Sequence, residues 1–220
     1  MAQEIRAAGG VAETAQVDAV DEQAVDEHAD AVAASAGGVA VSFNAIMNDD
    51  IQGTPLAEMP LEQFAQPITK AIRNQFLTAR AAARHMTRRG SGVILTITGG
   101  SHDTLPAMGG TVVNWAAMEA QCRQWAAELG PQGIRVMWLR TTGIPESIPD
   151  TVDRFPDYLG AGAGEGMTRA ELIAWMQEET TLKKLPTLAE VGNVAAFAAS
   201  DRAGAMTGAA VNVTCGAIVD

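Results

Sequence analysis

The chain has 220 residues, 47% of them hydrophobic, and a net charge of −11 at pH 7. That length suits one α/β domain, residues 1–220, with a sizeable core. No apolar run reaches the about 18 residues that a membrane span needs. Met1 to Gly10 contains Glu4 and Arg6 and no apolar stretch of the signal-peptide kind, so a cytoplasmic protein is expected. The charge is unevenly placed: residues 1–64 hold twelve acids against one base, Arg6, while residues 65–220 hold fourteen of each. Such a field opposes nucleic acid. It reads either as a solvated acidic face or as a docking face for a basic partner. Cys122 and Cys215 lack metal-site spacing and read as small hydrophobes, so no metal is expected. The four Trp are too dispersed to make a nucleic-acid stacking platform.

In chain order, Glu13–Val17 alternates weakly and is predicted to be a strand. Glu22–Ala36 is an Ala-rich amphipathic helix with Asp21 as N-cap. Val39–Phe43 is a short apolar strand and 48–53 a loop. Leu61–Arg89 is a long helix terminated by Gly90 and Gly92. Val93–Thr98 is a buried strand, and 99–110 a loop with two Gly-Gly pairs. Val112–Leu129 is a helix stopped by Gly130 and Pro131. Ile134–Leu139 is a strand, 143–166 a long loop with several Gly and Pro, Thr168–Glu179 and Thr187–Ser200 helices, and Ala210–Thr214 the last strand. Strand-helix alternation implies a parallel sheet with helices on both faces.

Several segments carry a family resemblance. Residues 115–136 read WAAMEAQCRQWAAELGPQGIRV, close to a helix-strand stretch written KAALEALTRSLAAELGPxGIRV. Asp18-Ala-Val-Asp21 resembles D-V-x-D. Val41-Ser-Phe-Asn44-Ala stands where V-N-N-A-G is written, Gly92 to Ile97 resembles G-x-I-x-x-I, and Met206 to Val213 matches M-T-G-x-x-x-x-V. In this order and spacing the chain resembles the short-chain dehydrogenase/reductase family. The resemblance implies a Rossmann-like three-layer αβα fold with a parallel sheet. The family's opening β-α-β unit, with its glycine loop for the dinucleotide pyrophosphate, has no counterpart, and no G-x-G-x-x-G occurs. Gly162-Ala-Gly164-Glu-Gly166 follows no predicted strand. In the family's sheet, the missing first strand neighbours the strand found here at Val39–Phe43. Either Glu13–Val17 moves in beside that edge or another chain covers it.

The family's catalytic tetrad of Asn, Ser, Tyr and Lys maps onto Ala71, Gly99, Thr111 and Trp115. Thr111 cannot replace a Tyr acid/base, because an aliphatic hydroxyl barely ionises near neutral pH. Trp115 has one N–H and no positive charge, so it cannot hold a cofactor ribose as the Lys does. No cofactor is therefore expected. Ser101, His102 and Asp103 follow the buried strand at its carboxyl end, where such sheets hold ligands. His102 is the natural acid/base at neutral pH, and Asp49 or Asp50 in the preceding loop could orient it. The candidate catalytic residues are thus His102, Ser101, Asp103 and Asp49. Asn44, Thr111, Asn114 and Trp115 are the candidate substrate contacts. By resemblance, residues 143–167 form a lid over them.

Three functions compete. One is a cofactor-independent enzyme, a lyase, isomerase or cyclase acting on a small organic molecule. The second is a non-catalytic subunit that pairs with an active relative. The third is an NAD(P)-linked oxidoreductase. By resemblance, a homo-oligomer built on helices 61–89 and 112–129 is expected.

Overall fold

The computed structural model describes residues 1–100, 106–150 and 166–219. In chain order they form α1 (Ala2–Ala7), α2 (Glu22–Ala36), β1 (Val41–Asn44), α3 (Leu61–Arg89), β2 (Gly92–Gly99), α4 (Thr111–Leu129), β3 (Ile134–Thr141), α5 (Arg169–Glu178), α6 (Leu188–Ala199) and β4 (Ala209–Val213). The four strands make one parallel sheet in the order β1-β2-β3-β4. Its register sets Val41 beside Val93, Gly92 beside Ile134 and Met137 beside Ala209.

Side-chain alternation along the central strands divides the core in two, as pleating requires. Ile94, Val136 and Trp138 face Ala79, Ala82, Ala83 and Met86 of α3 and Cys122 and Ala126 of α4. Val93, Leu95, Met137 and Leu139 face Val191, Ala195 and Ala198 of α6. The result is the expected three-layer αβα arrangement. The run of small residues on α3 lets that helix lie close to both the sheet and α4.

Local signals place the helix ends. The Asp21 side chain accepts from the Ala24 amide. Gly90 closes α3 at φ 73°. Thr168 and Thr187 make capping boxes with Glu171 and Glu190. Each such cap stabilises a helix by about 1 kcal/mol.

One predicted strand does not form. Glu13–Val17 has no ladder partner; Val17 instead packs against Val25, Ala29, Leu77 and Ala81 where α2 lies on α3. A strand exists only through hydrogen bonds to a neighbour, and none lies beside it among the described residues. It does not move in beside β1, which pairs with β2 alone among those residues and leaves Val41 and Phe43 over 40% exposed.

The acidic excess of the first 64 residues meets its counter-charges within the chain. Arg80 of α3 holds Glu22 at 2.6 Å and Asp26 at 3.0 Å, Arg84 holds Asp26 at 2.8 Å, and His85 meets Asp30 at 2.9 Å. Individually such surface pairs contribute about 0.2–1 kcal/mol. Together they orient α2 on α3, so part of the acidic face docks on the protein's own basic helix.

Candidate functional site

The carboxyl ends of β1, β2 and β3 converge on the N-terminus of α4. Two glycines bring the surrounding loops into contact. A Cβ at Gly109 (φ 56°) would overlap the Ile51 carbonyl, and one at Gly110 would overlap the Phe64 carbonyl of α3. The Gly53 amide donates to the Ala107 carbonyl at 2.8 Å, tying the loop after β1 to the loop before α4. Thr111, the first residue of α4, is fully buried beneath this closure. Its hydroxyl accepts from Gln52 Nε2 at 3.1 Å and hydrogen-bonds the Asp50 carboxyl.

The four residues that the resemblance sets at the family tetrad, Ala71, Gly99, Thr111 and Trp115, are packed into the fold. Ala71 is fully buried in α3. Gly99 ends β2, and any Cβ there would overlap the Trp115 indole. The two positions are complementary in shape: the ring occupies the space a Ser side chain would need. By that resemblance an indole stands where the family has an ammonium, and a buried Thr where it has a phenol. Among the described residues, no group of three His, Cys, Asp or Glu side chains could hold a metal ion.

The expected site residues separate into groups. Ser101, His102 and Asp103 lie outside the described residues, as does most of the proposed lid. At the near end of that lid Gly143 is packed, since its Cβ position is taken by Met176 of α5. Asn44 is buried and its amide is spent on the fold. It donates to Asn74 Oδ1 at 3.1 Å and Thr78 Oγ1 at 2.9 Å, and accepts from the Ile46 amide at 3.1 Å. On the first turns of α4, Asn114 is fully buried and Trp115 is half-buried beside Gly99.

Asp49 and Asp50 point to different partners. With φ at 57° Asp49 turns outward and pairs with Lys70 of α3, and Asp50 turns toward α4 instead. Asn114 Nδ2 donates to Asp50 Oδ1 at 2.6 Å. Burial of its carboxyl pushes the Asp50 pKa up, against the hydrogen bonds from Asn114 and Thr111 that lower it; the neighbouring Asp49 charge adds to the rise.

Three further residues escaped sequence reasoning. Asn74, a fully buried polar residue on the apolar face of α3, links Asn44 to Asn48 Oδ1 at 3.0 Å. Its signal was an Asn at helical spacing among buried alanines. Glu119 of α4 and Arg140 of β3 form a two-pronged ion pair at 2.9 and 2.8 Å, and Thr98 Oγ1 donates to Glu119 at 3.4 Å. Their signal was one opposite charge on each of two otherwise buried faces. Arg140 also packs against Gly100, so the pair underlies the site. Cys122 is no nucleophile: burial pushes its thiol up to about 12. A separate cavity of about 770 Å³ lies between α6, β4 and residues 181–186, lined by Leu182, Val194, Val213 and Ile218 among others.

A family model described as enoyl-(acyl carrier protein) reductase matches residues 1–217. The enoyl-[acyl-carrier-protein] reductase [NADH] FabI of Synechocystis sp. is 35% identical over 159 residues, 72% of this chain and 56% of that protein. An enoyl-[acyl-carrier-protein] reductase [NADH] of Rhizobium meliloti is 33% identical over 131 residues, 59% of this chain and 43% of that protein. The chain thus spans about half the length of these curated relatives. Among solved structures, sorbitol-6-phosphate 2-dehydrogenase SrlD from Erwinia amylovora superposes with a TM-score of 0.85 at 25% identity, over 100% of this chain and 85% of that one. Carveol dehydrogenase from Mycobacterium avium in complex with NAD gives 0.86 at 22% identity, over 98% and 78% of the two chains. Sequence motifs, layer order and these matches agree: the chain belongs to the short-chain dehydrogenase/reductase family.

Proposed function

We propose that this family member works without nicotinamide, as a cofactor-independent enzyme of the lyase, isomerase or cyclase type acting on a small organic molecule. The observation that carries this reading is the Trp115 indole lying against Gly99, which removes two tetrad positions in one contact. The sealing of Thr111 supports it from the other side of the helix turn. Family fold alone does not fix the chemistry, which is set by the site. In this reading Ser101, His102 and Asp103, which follow β2 in the chain, supply the polar groups of the site, and Asn114 and Trp115 of α4 contact the substrate. Residues 143–167 serve as its lid. The protein associates through α3 and α4, whose Phe76 and Val113 are 41% and 45% exposed.

A second reading, NAD(P)-linked reduction, is favoured by the names of the relatives. Enoyl reductases that use NADH and a dehydrogenase in complex with NAD are similar to this chain. One assay separates the two. The chain is incubated with NADH or NADPH and crotonyl thioester, and absorbance at the dihydronicotinamide band is followed. The cofactor-independent reading expects no consumption above the uncatalysed rate. Steady consumption proportional to enzyme favours the second reading.

A further inference from the structure

Asp50, considered above only as a group that could orient His102, is an exposed carboxylate held at the N-terminus of α4. Its placement has three supports. The loop after β1 delivers it to the N-terminus of α4, because Asp49 is held aside by Lys70. Asn114, one turn into α4, grips its Oδ1 at 2.6 Å, and the Thr111 hydroxyl hydrogen-bonds the same carboxyl. The residue as a whole remains exposed, so a substrate can reach it. Thr111 and Asn114 are themselves fully buried, which makes the grip rigid. Asn114 Oδ1 is buried with no protein partner among the described residues, an acceptor that a substrate hydroxyl or an ordered water would satisfy.

We propose that Asp50, oriented by Asn114 and Thr111, is the general acid/base of this site, and that it acts on the acidic C–H beside a carbonyl group in a small organic substrate. The proposal rests on the cofactor-independent reading and sharpens it to an isomerase. The Asp50 carboxylate takes the proton, breaking C–H and forming O–H. The C–H electron pair moves to the carbonyl oxygen as an enolate. In a substrate with a β,γ double bond the enolate is conjugated with it, and Asp50 returns the proton to the γ carbon: the carbonyl re-forms, a double bond forms between the α and β carbons, the former β,γ π pair becomes the new C–H bond, and the carboxylate is restored. Nothing is oxidised or reduced. A carboxyl suits this work when its pKa is drawn toward the operating pH, and the direction of the Asp50 shift agrees. Among the described residues the facing charges are few. Asp49 lies on the same loop, Lys70 of α3 is paired to it, and α4 presents the uncharged Thr111 and Asn114.

The test uses nitrobenzisoxazole, a general probe for a positioned base. A base removes its ring C–H, the N–O bond breaks and a coloured cyanonitrophenolate is released. The full chain is expected to open the ring faster than an equal concentration of acetate. Asp50→Asn is expected to lose about a hundredfold, the low end for general acid–base catalysis, while Glu128→Gln on an exposed face is unchanged. The rate is expected to rise with pH through a midpoint above the ordinary aspartate value of 3.8. That midpoint is expected to move higher still in Asn114→Ala, which removes a bond that favours the charged form. Carbon-13 NMR of the Asp50 carboxyl reads the same midpoint in the wild-type chain without any variant. A rate that survives Asp50→Asn, or a wild-type midpoint at or below 3.8, overturns the proposal. Loss of the Asp50 role with no NADH consumption leaves the cofactor-independent reading standing; NADH consumption removes that reading itself.

Discussion

Placing a side chain at Gly99 should expose how far Trp115 and Gly99 depend on each other. In Gly99→Ser the new Cβ would sit inside the Trp115 indole, against its Cζ2, Cε2 and Cη2 atoms. Because the ring is rigid, relief comes only by swinging Trp115 outward or shifting β2. Overpacking of this kind costs about 1–3 kcal/mol. For a chain of this length that lowers Tm by about 2–4 °C per kcal/mol. Trp115→Ala alone should cost less than the about 3–5 kcal/mol of a fully buried Trp, because the ring is half-buried. In the double variant the serine meets open space. The Gly99→Ser cost should fall nearly to zero, leaving a coupling of about 1–3 kcal/mol between two touching positions. Urea unfolding of the four proteins gives the cycle. Additivity within about 0.5 kcal/mol, the limit for independent sites, would refute the packing argument and, with it, the claim that these tetrad positions are structurally committed.

Thr111→Tyr combined with Trp115→Lys should not create NADH-dependent reduction of a crotonyl thioester, because position 111 is sealed by the loops at Ile51 and Phe64; measurable turnover would show that the seal opens. Glu119→Gln leaves Arg140 with a neutral partner in a largely buried place. It should destabilise the fold, read as a lowered urea midpoint. With the buried Cys122 thiol pushed up to about 12, a disulfide reagent at pH 8 should modify at most one of the two cysteines in the native protein, and the second only after denaturation. Two fast equivalents would contradict the burial.

The layered fold was legible because its signals are local. Asp21, Gly90, Thr168 and Thr187 mark helix ends through bonds to their own neighbours, and Leu61–Arg89 was bounded to the residue. Glu13–Val17 failed for the opposite reason: alternation describes a strand's faces and says nothing of whether a partner exists to pair with it. The resemblance aligned Ala71, Gly99, Thr111 and Trp115 with the family tetrad by register alone. That Trp115 rests on Gly99 could not be read from the chain, since their contact depends on how α4 crosses the end of β2. The choice between Asp49 and Asp50 was equally hidden. Adjacent carboxylates look alike in sequence, and a left-handed backbone at Asp49 with a Lys70 one helix away separates them.

In the proposed function this member of the family works without a nicotinamide cofactor. Calorimetric titration of the full chain with NADH and with NADPH tests it most directly. No saturable heat is expected at micromolar concentrations of either. A dissociation constant in the micromolar range for one of them would contradict the account.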